Sequence, residues 1–237
     1  MFQLPITQQT MTITYFGHSC FLVETFGARL LFDPFVTGNP LAGHIDVDNI
    51  RCDFILVSHC HQDHIGDLDQ IMTNNPDATI VGIWEVHDHY SKKGYKTHPM
   101  NKGGWWNFNF GRVKMVQAVH SSSFPDGSFA GEPAGFVVVA NDGVLYFAGD
   151  TALTLDMQLI PRTCPPLDVA ILPIGSNFTM NADDAAIAAE FIQCERIIGC
   201  HYDTFGFIKI THNQAIKTFA DAGRELLLMN IGESLSI

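Results

Sequence analysis

The segment Ser58-His59-Cys60-His61-Gln62-Asp63-His64-Ile65-Gly66-Asp67 places three imidazoles and a carboxylate within six positions, directly after the apolar run Phe54-Ile55-Leu56-Val57. Neutral imidazole and carboxylate are good ligands for zinc, manganese, iron and nickel. If the apolar run is a strand, His59 and His61 leave its last pleat in the same direction. Asp63 and His64 then fall at the start of a helix and turn toward a second point. The spacing predicts two half-sites back to back, and paired metal sites commonly carry out hydrolysis. A surface loop that merely happens to be rich in histidine is the competing reading.

Three further candidate ligands occupy equivalent positions. His120 ends Arg112-Val113-Lys114-Met115-Val116-Gln117-Ala118-Val119, Asp150 follows Val144-Leu145-Tyr146-Phe147-Ala148-Gly149, and His201 follows Arg196-Ile197-Ile198-Gly199-Cys200. The end of a strand is where a rigid scaffold hands a side chain to a surface site. Apolar runs that each stop at a His or Asp argue against a chance cluster.

The set His59-x-His61-x-Asp63-His64, His120, Asp150 and His201 resembles the full metal-ligand set of the metallo-β-lactamase superfamily. The segments Gly17-His18-Ser19-Cys20, Phe32-Asp33-Pro34-Phe35, His98-Pro99-Met100-Asn101, Ala148-Gly149-Asp150-Thr151 and Gly175-Ser176-Asn177-Phe178-Thr179-Met180 narrow the likeness. They resemble the metal-dependent hydrolases related to ascorbate-6-phosphate lactonase, over roughly Met11 to Glu233. The resemblance implies an αββα sandwich: two mixed sheets face to face, helices outside, each half supplying one side of the site. It implies one metal on His59, His61 and His120, a second on Asp63, His64 and His201, and Asp150 bridging them. A hydroxide between the ions is the implied nucleophile, zinc the first expected metal, and manganese, nickel or iron acceptable to the same donors.

Outside the ligands, His18 is read as a substrate-orienting or proton-donating group at the rim, against a structural histidine held in a turn. Asp63 is also a candidate proton shuttle. Asp33 is expected to fix a ligand imidazole through its other N–H. Asn177 is a candidate oxyanion donor and Tyr202 a candidate proton donor to the leaving group; an ordinary loop residue and core packing are the plainer readings. His87-Asp88-His89 has ligand-like types without a supporting constellation. Cys60 and Gln62 stand where relatives often carry glycine; Cys60 is read as a buried, inert thiol.

The elements that must position these groups follow from the pattern. Strands are expected at Thr12–Tyr15, Cys20–Glu24, Arg29–Phe32, Phe54–Val57, Thr79–Gly82, Ala134–Val139, Val144–Ala148 and Val169–Leu172. A helix is expected near Asp67 to Thr73, and another from Ala182 to Gln193, capped by Asn181 with Asp183 and Asp184 in its first turn. A third runs from His212 or Asn213 to Ala222 and stops at Gly223. Trp105 and Trp106 are read as core packing.

Composition limits the function classes. With 46% hydrophobic and 16% charged residues in 237, the chain is expected to fold as one ordered domain over residues 1–237. A formal net charge of −12 without a Lys/Arg cluster argues against a nucleic-acid partner. No apolar run is long enough to span a membrane, and Met1-Phe2-Gln3-Leu4-Pro5 shows no leader pattern. Six cysteines without C-x-x-C pairs predict reduced thiols and a cytoplasmic location. The expected partner is a small molecule; whether the chain also forms a homo-oligomer is left open by the sequence. The leading function is a dinuclear metallohydrolase of lactonase or phosphodiesterase type, acting on a small ester, lactone or phosphoester. The alternatives are a non-catalytic metal-binding module and a di-iron redox protein of the same fold.

Overall fold

The alternation of side chains in the C-terminal half decides the layering. In β9 (Ala134–Ala140), β10 (Gly143–Phe147), β11 (Val169–Pro173) and β12 (Arg196–Cys200), one set of residues, Phe136, Val138, Leu145, Phe147, Val169, Ile171 and Ile198, joins one apolar cluster. The residues between them, Val137, Tyr146, Ala170, Leu172 and Ile197, join another. A strand whose two faces both bury apolar side chains must lie between two layers. The computed structural model, which describes residues 10–237, shows that arrangement. The segment Met1-Phe2-Gln3-Leu4-Pro5, in which no leader pattern is expected, lies outside the described residues.

Two seven-stranded mixed sheets form the centre. The first takes β1 (Thr12–Gly17), β2 (Cys20–Thr25), β3 (Ala28–Phe32), β4 (Phe54–Leu56), β5 (Thr79–Ile83) and β6 (Thr97–Met100) in chain order. The last strand, β14 (Ser234–Ser236), pairs antiparallel with β1 and closes its edge. The second sheet runs β13 (Glu225–Leu227), β12, β11, β10, β9, β8 (Gly111–Gln117), β7 (Trp105–Phe108). Aromatic side chains join the sheets: Phe32 meets Phe147 at 4.8 Å and Phe136 at 6.4 Å between ring centroids, and Phe54 meets Phe110 at 5.0 Å.

Helices lie outside. On the second sheet, α5 (Ala182–Phe191) buries Ala185, Ala188 and Ala189, and α6 (His212–Asp221) buries Ala215 and Phe219. The Asn181 side chain accepts from the Asp184 amide at 2.8 Å and caps α5 as its sequence predicts. On the first sheet lie α2 (Leu68–Asn74), which buries Ile71 and Met72, and α3 (Trp84–Lys92), which buries Val86 and Tyr90. The short α1 (Gln62–Ile65) and α4 (Ile160–Thr163) complete the set.

Several elements depart from the sequence reading. Helix α3 and strands β6, β7, β13 and β14 have no counterpart in it, because each is short or lacks a clean period. Trp106 is half exposed, its ring tilted against His98 at 4.7 Å, and Trp105 lies under Arg112 and Lys114. The pair belongs to an edge strand and not to the core.

Strand direction is what matters for function. Strands β3 to β6 are mutually parallel, as are β10 to β13, and β1 and β8 each reach their parallel group through one antiparallel neighbour. The C-terminal ends of β1, β3, β4, β8, β10 and β12 therefore lie on one edge of their own sheets. These ends carry His18, Asp33, the His59–His64 segment, His120, Asp150 and His201.

Because Phe147 is fully buried against Phe21 and Phe32, Phe147→Ala is expected to destabilise the protein by about 3–5 kcal/mol. Urea unfolding followed by far-UV circular dichroism measures it.

Candidate metal centre

A buried carboxylate organises the first sheet's contribution. Asp33, directly after β3, accepts from the Ser58 amide at 2.8 Å, the Ser58 hydroxyl at 2.5 Å and His64 Nδ1 at 2.7 Å. Ser58 Oγ in turn lies 3.0 Å from His59 Nδ1. One carboxylate thus fixes His64 directly and His59 through a hydroxyl. With both Nδ1 atoms occupied, the Nε2 atoms are left to act as ligands. Asp33 behaves as expected from the sequence; the Ser58 relay was not foreseen, since a serine before a histidine carries no distinguishing signal.

Two donor groups result. His59, His61 and His120 bring their nitrogens within 4.8 Å of one another. His59 Nε2 and His61 Nδ1 are 3.0 Å apart, close to the roughly 3.3 Å expected for two nitrogens on one tetrahedral ion. His18, Asp63, His64 and His201 form the second group under the same limit. Asp150 lies between the groups: its Oδ2 is 3.0 Å from His201 Nε2, 3.3 Å from His64 Nε2 and 3.6 Å from His120 Nε2. The structure therefore brings together every residue of the sequence-derived ligand set.

His18 sits differently from the reading that placed it at the rim. It is buried, with Nε2 donating to Asp63 Oδ2 at 3.1 Å and Nδ1 3.0 Å from Thr204 Oγ1. Its ring packs on His201 at 4.2 Å and near Phe35 and Phe205. Thr204, whose hydroxyl fixes His18, is another residue the sequence did not single out. Asn177 is exposed in the loop after β11, with φ of 58°. Tyr202 is buried with the second apolar cluster, its ring against His212, as the packing alternative has it. His87 and His89 are engaged elsewhere, with Thr97 and Phe124. The Cys60 thiol is buried, and burial pushes its pKa up.

Backbone strain marks the same edge. His18, Asp33 and His201 have φ of 54°, 41° and 55°, a region costing a non-glycine residue about 1–2 kcal/mol. Main-chain hydrogen bonds engage all three, across the sheets or between neighbouring strands: the His201 amide donates to the His18 carbonyl at 2.9 Å, and the Asp33 amide to Leu56 O at 3.2 Å. The loops after β8 and β10 are tied where the Val119 amide meets Thr151 Oγ1 at 2.9 Å. Two glycines permit the close approach. A Cβ on Gly149 would lie 2.7 Å from Ser58 Cβ, and one on Gly175 2.0 Å from the His201 carbonyl oxygen.

The electrostatics suit cations. Burial pushes the pKa of His59, His61 and His120 down, so these imidazoles are neutral donors. Burial alone would also lower His201, but Asp150 and Asp63 reverse it and hold the group at about 9; His64 is raised in the same way by Asp150 and Asp33. Burial opposes ionisation of Asp63, yet the hydrogen bond from His18 and the nearby imidazoles of His201 and His64 keep it far below the usual carboxylate range. Asp150 Oδ1, His64 Nε2 and His201 Nδ1 are buried without hydrogen-bond partners. A buried, orphaned carboxylate oxygen among clustered imidazoles is the mark of a donor set built for a cation, which would compete with protons for His64 and His201.

The sequence profile of the beta-lactamase superfamily domain matches residues 12–201. A metal-dependent hydrolase of Flavobacterium johnsoniae is 51% identical over 228 residues, covering 96% of this chain and all of the relative. One of Christiangramia forsetii is 50% identical with the same coverage. Among solved structures, the metallo hydrolase Igni18 of the archaeon Ignicoccus hospitalis superposes with a TM-score of 0.87 at 32% identity, covering 97% of this chain and 99% of Igni18.

Loss of the carboxylate that orients both half-sets is expected to weaken metal binding. Asp33→Asn should lower affinity about 10–100-fold, read by competition with a chromophoric chelator.

Proposed function

Since the chain belongs to the β-lactamase superfamily and is a metal-dependent hydrolase within it, we propose that it works with two divalent cations on a small ester, lactone or phosphoester. The observation that carries this reading is the pairing of two donor groups on either side of Asp150 Oδ2. His59, His61 and His120 would hold one ion; Asp63, His64 and His201 the other; Asp150 would serve both. Bound there, the ions supply Lewis acidity toward a carbonyl or phosphoryl oxygen and lower the pKa of water toward about 7. Zinc is the first candidate, and the same donors accept manganese, nickel or iron.

The protein's own groups divide the remaining work. Asp33 and Ser58 fix the two imidazoles. Among the proposed ligand carboxylates Asp63 is the more open to solvent, its side chain 28% exposed against 2% for Asp150. An accessible carboxylate beside the reacting atoms suits proton transfer, taking the proton of the nucleophile and returning it to the leaving group. His18, closed off from solvent, holds Asp63 Oδ2 in place and is a positioning residue, not a donor to substrate. Asn177, exposed in its loop, remains the candidate for stabilising an oxyanion. Tyr202 is assigned to packing. Six unpaired cysteines support a reducing, cytoplasmic setting, and among the described residues no helix is long and apolar enough to cross a membrane.

Elemental analysis of protein purified without added metal is expected to give about two transition ions per chain, with activity lost on chelation and restored by zinc or manganese. A single tight ion with full activity would overturn the paired reading. Asp63→Asn is expected to lower kcat by about 10²–10³-fold while lowering metal content less than His64→Ala does. An undiminished rate in Asp63→Asn would remove the shuttle.

A further inference from the structure

Four of the segments that leave the ligand-bearing edge of the second sheet carry at least one large apolar side chain out into solvent. These are Phe129 after β8 (71% exposed), Leu155 after β10 (72%), Phe178 after β11 (51%) and Phe207 after β12 (79%). Their loops are built. Phe129 pairs back onto Ser123, three residues past His120. The loop of Phe178 is tied by the Met180 amide to Thr151 O, next to Asp150, at 3.2 Å. The turn of Phe207 is clamped by Asp203, whose amide donates to Ile208 O at 2.8 Å and whose carboxylate accepts from the Ile210 amide at 3.0 Å. Phe178 and Phe207 meet at 6.4 Å, and Phe205, two residues before Phe207, packs at 5.4 Å on the His18 that holds Asp63. An aromatic ledge is thus joined by short, rigid connections to both sides of the second donor group.

Charge at this edge is distributed in the opposite sense to what an anionic substrate needs. Of the 13 Lys and Arg residues, Arg29, Arg51, Lys96, Arg112, Arg196 and Arg224 stand at or before the N-terminal ends of strands, on the far side of the sandwich. In the segments leaving the ligand edge, Lys92, Lys93, Lys102 and Lys217 are each paired with a carboxylate, of Asp88, Asp69, Glu132 and Asp221, and Arg162 lies in α4; Lys209, two residues after Phe207, is the cation nearest the ledge in sequence. Asp126 and Asp156 share the loops of Phe129 and Leu155. Recognition of a phosphorylated or carboxylated substituent draws on Arg or Lys converging on it, and like charges at a cleft mouth repel such a group.

We infer that the substrate carries a neutral, apolar substituent, preferably aromatic, which packs on Phe178 and Phe207, and that this ledge selects against substrates whose distal group is phosphorylated. The inference rests on the hydrolytic reading above and narrows it to uncharged esters and lactones. The physical gain is burial of aromatic faces that otherwise remain in water.

Turnover and binding are measured separately. Kinetics compare γ-phenyl-γ-butyrolactone, unsubstituted γ-butyrolactone and a γ-butyrolactone bearing a phosphorylated hydroxymethyl group. Binding of 5-phenyl-2-pyrrolidinone, a lactam that resists hydrolysis, is compared with that of 2-pyrrolidinone by calorimetry on metal-loaded protein. The phenyl lactone is expected to exceed the phosphorylated one in kcat/KM by about tenfold or more, and the phenyl lactam to bind about tenfold tighter than the bare lactam. In the double variant Phe178→Ser, Phe207→Ser both preferences should fall at least about fivefold, with KM of the phenyl lactone carrying the change. A preference for the phosphorylated lactone, equal binding of the two lactams, or preferences unaltered in the double variant would overturn the inference. So would dissociation of an oligomer by the double variant with no change in ligand preference, which would make the ledge a contact between copies. Absence of all turnover with the phenyl preference in binding intact would sink the hydrolytic reading and leave the ledge standing.

Discussion

His59, His64 and His201 and the carboxylates of Asp33 and Asp150 are withdrawn from water at one edge of a sandwich whose centre is otherwise apolar. Among the described residues neither carboxylate is paired with Lys or Arg; their ion-pair partners are imidazoles. Taking carboxylates out of water costs several kcal/mol each unless charge and hydrogen bonds replace the lost hydration. The imidazoles of His64 and His201, whose pKa these carboxylates raise, supply part of that replacement, and a bound cation would supply the rest. The strained turns at His18, Asp33 and His201 and the glycines at 149 and 175 are understandable as geometry imposed by this concentration of donors.

Each sheet contributes a part that is useless without the other. The first supplies His18, Asp33 and the His59–His64 run; the second supplies His120, Asp150 and His201. What sets their relation is the same set of large side chains that holds the sandwich, Phe32, Phe136 and Phe147, together with two main-chain links at the edge. These are the His201 amide to His18 O at 2.9 Å and the Ala134 amide to Ser58 O at 3.0 Å. Packing and chemistry are therefore coupled through strand ends: the core decides where β4, β8, β10 and β12 stop, and the donors follow within three residues.

How far the sequence could be read follows from this coupling. Strands β4, β10 and β12 were legible because burial on both faces makes them largely apolar, and a His or Asp follows each; β8, with Arg112 and Lys114 among its residues, was marked chiefly by the His120 that follows it. Asn181 announced α5 by its cap chemistry. Helix α3 was missed because Trp84-Glu85-Val86-His87-Asp88-His89 offers few apolar positions, and only Val86 and Tyr90 are buried. Strand β14 was invisible because three residues, Ser234-Leu235-Ser236, gain their identity from pairing with β1 more than 200 residues earlier. At the site, ligand types and spacing were readable, whereas the tautomer-fixing hydroxyls of Ser58 and Thr204 were not. A hydroxyl acquires such a role only from the residue that folding places beside it. His18 was recognised as important, but its burial depended on the rings of Phe35, Phe205 and His201 closing over it.

The link between the His201 amide and the His18 carbonyl joins residues at opposite ends of the sequence. During synthesis on the ribosome, the donors of the first group are all available once His120 has emerged. The second group waits for His201, so until then only half of the donor set exists. Contacts this distant in sequence form late, after the loop entropy between them has been overcome. The donor set is thereby complete only after both sheets have contributed strands, with β13 and β14 alone still to follow His201.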